Sequence, residues 1–111
     1  MYEAPEKWAE SYFSLQDRQR IDYVVRLIPD DAHSLLDVGC GNGMLVNHLK
    51  SMFPGKFNRI CGTDRRATSI SFVETDRVQS EIDRLPFCDG EFDIVTCMEV
   101  IEHLSYRIYA G

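Results

Sequence analysis

Three glycines alternate with other residues directly after a short apolar run. The run covers residues 34–38, and the glycines are Gly39, Gly41 and Gly43. Glycines allow the backbone to turn tightly and to approach a ligand closely. A helix that follows such a turn points free N–H groups and the positive end of its dipole at an anion. The pattern therefore predicts a binding loop for a ligand that carries an anionic group.

The spacing of these glycines disfavours a dinucleotide site. The dinucleotide fingerprint is G-x-G-x-x-G, which would place its third glycine at position 44. Met44 stands there and is too large for that role. A nicotinamide-dependent dehydrogenase is therefore the least favoured of the enzymes that use such a loop.

Apolar periodicity predicts alternating helices and strands around the loop. Ile21, Val24, Val25 and Ile28 repeat at the spacing of one helix face. The other predicted elements are strands over residues 34–38, 57–63, 77–80 and 92–97, and helices over residues 45–53, over 66–75 as a short helix or turn, and from 99 onward. Helical patterns between buried strands predict an α/β fold with a parallel sheet.

The composition is typical of one small globular domain. The chain has 111 residues, 44% of them hydrophobic, and 18 acidic against 12 basic side chains give a net charge of −6. No apolar run has the roughly 18–20 residues of a membrane span, and the first residues lack the features of a secretory signal. Nucleic-acid binding depends on clustered lysine and arginine, so the acidic balance disfavours it.

The cysteines predict a reducing compartment. Cys40, Cys61, Cys88 and Cys97 form no C-x-x-C pair, and each lies in or beside an apolar stretch. A structural zinc site would show paired spacing, and a disulfide framework would have a chain richer in loops. We therefore expect small, buried side chains in a cytoplasmic protein.

Residues 35–43, L-L-D-V-G-C-G-N-G, resemble the first motif of the class I S-adenosylmethionine-dependent methyltransferases. Three further segments resemble the same family, in the same order. They are Asp64 at the end of the second predicted strand, residues 81–87 (E-I-D-R-L-P-F), and residues 92–95 followed by residues 99–104 (E-V-I-E-H-L). The last segment resembles the small-molecule branch of the family, the type 11 methyltransferases. The resemblance covers nearly the whole chain.

This resemblance implies a Rossmann-like parallel sheet of the class I methyltransferase fold. The chain would hold the N-terminal half of that fold, with about four strands and flanking helices. The implied cofactor is S-adenosylmethionine, and the implied reaction is methyl transfer to a small-molecule acceptor. Residues 1–30 would then form an N-terminal helical segment, and residues 31–111 a partial cofactor-binding domain.

The resemblance also implies roles for single residues. The glycine loop would face the methionine carboxylate, and Asp37 the ammonium, directly or through water. Asp64 would accept hydrogen bonds from the ribose hydroxyls and Glu81, where the family more often has aspartate, from the adenine amino group. The implied cofactor-binding residues are Asp37, Gly39, Cys40, Gly41, Asp64, Arg65, Glu81, Ile82 and Met98. Taken alone, Asp64 or Glu81 would more often be a helix cap or a solvated surface acid, and Asp37 could cap the following turn.

Glu99, Glu102 and His103 share one face of the last predicted helix and allow three interpretations. They could shape the site, supply a general base, or bind a divalent ion. The E-x-x-E-H spacing resembles the small-RNA 3′-terminal 2′-O-methyltransferases, whose further histidine ligand lies downstream, whereas no histidine follows His103 here. We favour the site-shaping role, predict no metal, and assign no catalytic residue. A metal-assisted RNA methyltransferase and an inactive cofactor-binding module remain the alternative functions.

The family's domain continues with three more strands that supply most of the acceptor pocket. Without them, the predicted strand over residues 92–97 would be an open edge, which invites pairing with another chain. We therefore expect either the N-terminal part of a longer protein or self-association through this edge.

Overall fold

A computed structural model of the protein describes residues 15–97 and 108–110. The chain forms two compact units, Met1–Asp30 and Asp31–Gly111. In the first unit, helix α1 spans Leu15–Leu27 and ends ahead of Pro29, whose ring disfavours helical backbone in the residue before it. The helix extends beyond the predicted apolar stripe because the polar residues that precede the stripe are good helix formers.

The described residues of the second unit form a five-stranded sheet and two helices. Its strands are β1 (Ser34–Val38), β2 (Arg59–Asp64), β3 (Asp76–Gln79), β4 (Ile94–Thr96) and β5 (Ile108–Ala110), and its helices are α2 (Met44–Met52) and α3 (Ala67–Ile70). The strand order is β3-β2-β1-β4-β5. The first four strands pair in parallel, which confirms the predicted α/β fold.

Strand β1 lies at the centre of the sheet, and its register brings the polar residues of the candidate site together. Asp37 pairs with Gly62 of β2 on one side and with Thr96 of β4 on the other. Alternate residues of β1 point to opposite faces of the sheet. Leu36 and Val38 therefore share one face, where they form a buried cluster that includes Phe92.

Asn47 of α2 ties that helix to the connection between α3 and β3. Its side-chain Nδ2 donates to the carbonyl of Phe72 at 3.0 Å, and its Oδ1 accepts from the N–H of Glu74 at 2.7 Å. These two hydrogen bonds explain why α3 is only one turn long, although the sequence predicts a helix or turn over residues 66–75. The backbone after Ile70 bonds to Asn47 and does not continue the helix.

Asp93 joins the starts of β1 and β4. Its Oδ2 accepts from the N–H groups of His33 at 2.7 Å and Ser34 at 3.2 Å, and its own N–H donates to the Ser34 Oγ at 2.8 Å. The hydrogen bond from His33 is the main reason that the pKa of Asp93 is lowered. The Asp93 N–H bonds to the Ser34 side chain and is not part of a strand ladder. The observed strand therefore starts at Ile94, two residues later than predicted.

The prediction that β4 is an open edge is wrong. Ile108–Ala110 pair with β4 in antiparallel register, with Tyr109 opposite Val95. A strand edge carries unpaired N–H and C=O groups, and here a later segment of the same chain pairs with them. The self-association predicted through β4 therefore loses its structural basis. The predicted helix from Glu99 lies outside the described residues.

None of the helices in the described part of the chain has the length and apolar character that crossing a bilayer requires.

Gly43, just before α2, is expected to tolerate alanine less well than Gly55. Both have positive φ angles, 87° and 83°. A Cβ at Gly43 would lie 2.9 Å from Val73 Cγ2, whereas a Cβ at Gly55 would meet nothing within 4 Å. Gly55→Ala should lose about 1 kcal/mol from backbone strain, and Gly43→Ala about 1–3 kcal/mol more from crowding. Urea unfolding of both variants measures the difference, and equal losses would contradict the crowding at Gly43.

Candidate functional site

The carboxylate of Asp64 connects the end of β2 to the glycine loop after β1. Its Oδ2 accepts from the Gly41 N–H at 3.0 Å. Its Oδ1 accepts from the Arg66 N–H at 2.9 Å and from the Arg66 Nε at 3.3 Å. The side chain is buried, so these donors replace the water that a carboxylate would otherwise bind.

These hydrogen bonds keep Asp64 ionised. Burial alone would raise the pKa of Asp64, but the backbone hydrogen bonds from Arg66 and Gly41, together with the Arg66 guanidinium, outweigh it and lower the pKa. The site therefore holds a fixed negative charge at the carboxyl end of β2. Such a charge favours hydroxyl donors and repels phosphate groups.

The glycine loop is held by hydrogen bonds within the chain. Gly39, Gly41 and Gly43 all have positive φ, at 71°, 57° and 87°, in the region that favours glycine. The Cys40 N–H donates to the Thr63 carbonyl at 2.7 Å, and the Gly43 N–H to the Cys40 carbonyl at 3.0 Å. Together with the bond from Gly41 to Asp64, this engages the N–H groups of residues 40, 41 and 43. An anion bound at this loop must use other donors or displace these bonds.

Cys40 packs into the space left by a glycine of β2. A Cβ at Gly62 would lie 2.8 Å from the Cys40 Sγ. Desolvation by burial, followed by the charges of Asp37 and Asp64, raises the pKa of the Cys40 thiol to about 12. The thiol is therefore neutral near pH 7 and serves as packing. Any contribution that Cys40 makes to ligand binding comes from its backbone.

Asp37 lies beneath the loop on β1. It is 3% exposed, and its Oδ1 accepts from the Thr96 Oγ1 at 2.7 Å. This buried pair joins β1 to β4 in addition to the backbone ladder. The structure thus places Asp37 close to the loop but largely out of contact with solvent.

A cavity of about 320 Å³ lies beside Asp64, at the carboxyl ends of β2 and β3. It brings together five of the residues that the sequence predicted, which are Gly39, Asp64, Arg65, Glu81 and Ile82. Glu81 is exposed, and Ile82 is 48% exposed although it is a large apolar residue. An exposed apolar side chain next to a carboxylate matches the surface that an aromatic ring with an amino group would contact.

Three residues that line this cavity were not predicted, namely Thr63, Arg66 and Ser80. Thr63 precedes Asp64 on β2, and the Ser80 N–H donates to the Asp64 carbonyl at 3.0 Å. Ser80 is the first residue after β3, so its position at a strand end could have revealed it. The role of Arg66 depends on a side-chain contact that the sequence does not show.

The sequence also predicted roles for four residues after Cys97 and the burial of the four cysteines. Met98, Glu99, Glu102 and His103 lie outside the described residues. Within the described ranges, no group of three or more histidine, cysteine or acidic residues could hold a metal ion. The expectation of buried cysteines is confirmed for Cys40 and Cys61, whereas Cys97 is only partly buried and Cys88, in the connection between β3 and β4, is exposed.

Asp64 should stabilise the fold in a pH-dependent way. Because its folded pKa is lowered, its ionised form favours the fold above the ordinary pKa of 3.8, and that contribution is lost as the pH falls through the lowered value. We expect Asp64→Asn to reduce the free energy of unfolding by about 1–3 kcal/mol at pH 7, the range for hydrogen bonds to a buried charge. Urea unfolding from pH 7 to pH 2 should show the gap from wild type narrowing below pH 4. A gap that stayed constant with pH would contradict this account.

Similarity to known proteins supports the methyltransferase family that the four sequence motifs predict. A family profile described as a methyltransferase domain matches residues 36–110. A ubiquinone biosynthesis O-methyltransferase of Xanthomonas campestris is 34% identical over 91 residues, covering 77% of this chain and 38% of that protein. A small RNA 2′-O-methyltransferase of Arabidopsis thaliana is 30% identical over 105 residues, covering 79% of this chain and 11% of that protein.

A solved structure resembles the chain in fold. The crystal structure of a SAM dependent methyltransferase from Archaeoglobus fulgidus superposes with a TM-score of 0.57 at 26% identity, over 78% of this chain and 39% of that one. This chain thus spans well under half the length of each protein named here. The profile match, which covers more than half of the chain, confirms the resemblance and the cofactor predicted from the four motifs. The chain belongs to the methyltransferase domain family, whose cofactor is S-adenosylmethionine.

Proposed function

We propose that these residues form the cofactor-binding part of an enzyme that transfers a methyl group from S-adenosylmethionine to a small molecule. The observation that carries the proposal is the ionised Asp64, which is held by the glycine loop and lines a cavity with Glu81 and Ile82. A fixed carboxylate, a second acid and an apolar side chain suit a ribose and an amino-substituted base. A phosphate in contact with either carboxylate would be repelled.

Asp64 would bind the ribose. Two carboxylate oxygens offer about four lone-pair positions. Three hydrogen bonds from Gly41 and Arg66 already occupy this carboxylate, which leaves one position for a ribose hydroxyl. A second hydroxyl would displace the Arg66 Nε, since that contact is the longest at 3.3 Å and the arginine side chain is 57% exposed.

Glu81 and Ile82 would bind the adenine. The Glu81 carboxylate can accept a hydrogen bond from the amino group of the base, and Ile82 can pack against the ring. At the other end of the cofactor, the burial of Asp37 and its bond from Thr96 favour an indirect contact with the ammonium, through water. Gly39, Cys40, Gly41, Arg65 and Met98 complete the proposed binding residues.

The chemistry then needs little from the protein beyond alignment. When bound, S-adenosylmethionine supplies a methyl group that is already activated by its sulfonium. The residues described here would hold the ribose and the base, fix the orientation of the cofactor, and exclude water from its adenosine half. We assign no catalytic base, because the two candidates for that role, Glu99 and His103, lie outside the described residues.

The acceptor is proposed from the relatives. The ubiquinone biosynthesis enzymes support a small-molecule acceptor, and the names of both groups of relatives specify transfer to oxygen. An RNA 3′ end is the second candidate because of the Arabidopsis relative, but the net charge of −6 disfavours a polyanionic substrate. We therefore propose a small-molecule hydroxyl as the acceptor.

We also propose the domain division and the cellular location. Residues 1–30 would be a helical segment preceding the cofactor-binding domain of residues 31–111. Cys40, Cys61 and Cys88 are free thiols, which supports a location in the reducing cytoplasm.

The direct test is a calorimetric titration of the chain with S-adenosylhomocysteine, with NAD as the control ligand. We expect micromolar binding of S-adenosylhomocysteine alone. Asp64→Ala should weaken this binding by about 1–3 kcal/mol, through the loss of hydrogen bonds to the ribose. Glu74→Ala is the matched control, because Glu74 is an exposed acid that does not line the cavity.

A folded chain that binds neither ligand would contradict the proposed function. An unchanged affinity in Asp64→Ala would contradict the ribose contact alone. Urea unfolding of both variants separates a loss of binding from a loss of folding.

Metal dependence distinguishes the two acceptor candidates. We expect EDTA to leave the affinity for S-adenosylhomocysteine unchanged, since the proposed binding residues use hydrogen bonds and packing. A metal-assisted RNA methyltransferase would instead show Mn²⁺-dependent methyl transfer to RNA 3′ ends, abolished by Glu102→Ala. Incubation of tritiated S-adenosylmethionine with RNA, in Mn²⁺ or EDTA, measures this. Metal-dependent labelling of RNA would overturn the small-molecule proposal.

A further inference from the structure

Arg59 lies at the opposite end of β2 from Asp64 and contacts the connection between β3 and β4, residues 80–93. Its Nη1 donates to the Glu91 Oε2 at 2.7 Å. Its guanidinium carbon lies 4.6 Å from the centre of the Phe92 ring and 5.6 Å from that of Phe87. One side chain thus makes an ion pair and two cation–π contacts with the same connection.

The groups that Arg59 contacts are themselves anchored. The second oxygen of Glu91, Oε1, accepts from the Cys88 N–H at 2.9 Å. The rings of Phe87 and Phe92 meet edge to face with centres 5.1 Å apart, and Phe92 is 3% exposed in the buried cluster of the sheet. Arg59 therefore fixes the second half of the connection to β2 and to the core.

The first half of the same connection lines the candidate cofactor site. Glu81 and Ile82 border the cavity beside Asp64, and Ile82 also borders a neighbouring cavity of about 580 Å³ that includes Phe87 and Glu91. The connection contains no helix or strand, so internal ladders do not fix its shape. At its start, the Ser80 N–H bonds to the Asp64 carbonyl at 3.0 Å and the Arg84 N–H bonds to the Glu81 carbonyl at 3.2 Å, which closes one turn. The rest of the connection, between this turn and β4, is held by the contacts of Arg59.

We propose that Arg59 is a positioning residue for the base-binding side of the cofactor site. This inference rests on the proposed function. By holding Glu91, Phe87 and Phe92, Arg59 keeps the connection in the shape that presents Glu81 and Ile82 to the base. Such preorganisation raises affinity because the ligand does not have to order the segment when it binds.

An arginine suits this role better than a lysine. Its planar guanidinium can stack on aromatic rings while it donates to a carboxylate, whereas an ammonium is a compact, strongly hydrated charge. The ion pair is partly exposed, with side-chain exposures of 40% for Arg59 and 30% for Glu91, and such a pair alone contributes little. The effect depends on the combination of the ion pair with the two rings.

Base discrimination tests this inference in the full chain. S-inosylhomocysteine replaces the adenine amino group by an oxo group, so it loses the hydrogen bond to Glu81. The wild-type chain should prefer S-adenosylhomocysteine, and Arg59→Met should reduce the ratio of the two affinities about tenfold, as expected for the loss of one hydrogen bond to a charged group. Arg59→Lys should recover part of the ratio.

Arg77→Met is the matched control. Arg77 also holds a turn, since its Nη1 donates to the carbonyls of Ile70, Ser71 and Val73, but none of these borders the base-binding cavity. Arg77→Met should lower the free energy of unfolding and leave the ratio of the two ligand affinities unchanged. If Arg59→Met does not fold, Glu91→Gln provides the same test, because it removes the ion pair and keeps an acceptor for Cys88.

The outcomes separate this inference from the proposed function. Wild-type chain that binds neither ligand would overturn both. Wild-type chain that binds the two ligands equally would overturn the positioning role and leave cofactor binding intact. An unchanged ratio in a folded Arg59→Met or Glu91→Gln chain would show that the contacts of Arg59 serve stability alone.

Discussion

The hydrogen bond from the Gly41 N–H to the buried carboxylate of Asp64 determines how the two central strands meet. A buried carboxylate is costly unless donors surround it, and here the donors come from the loop after β1 and from Arg66. The loop reaches Asp64 with positive φ angles, which glycine adopts at little cost. The alternating glycines and the ionised acid therefore meet in one contact, which lies beside the cavity.

The carboxyl ends and the amino ends of the strands differ in the contacts that their side chains make. At the carboxyl ends of the strands, polar groups surround a cavity and leave hydrogen-bonding positions available to a ligand. At the amino ends, the side chains bond to other groups of the chain. Asp93 caps the start of β1, and Arg59 pairs with Glu91. In the proposed role of Arg59, the contacts at the amino end of β2 support the connection that lines the cavity at the carboxyl end of the same strand.

Local sequence signals were sufficient for most of the fold. The bounds of β1 agree with the prediction, and those of α2 differ by a residue at each end, because apolar spacing and flanking glycine and proline residues define both. The bounds of β4 and α3 differ more because distant side chains set them, through Asp93 and Asn47. The pairing of β5 with β4 depends on a return of the chain that has no local signal.

The sequence predicts the site residues that belong to a family motif. It does not predict the residues that act at the site only through a side-chain contact. Asp64, Glu81 and Ile82 follow from the family pattern, and the structure brings them to one cavity. Arg66 and Arg59 act through side-chain geometry across turns and strands, which residue order does not reveal.

The packing of Cys40 against Gly62 links two positions that lie 22 residues apart in the sequence. The sulfur fills the volume that a side chain at Gly62 would take, so position 62 can gain a side chain only if the residue at position 40 becomes smaller. During sequence divergence the two sites therefore have a joint volume constraint. A methyl group gained on β2 requires a smaller residue in the loop, and the pair should co-vary as a unit.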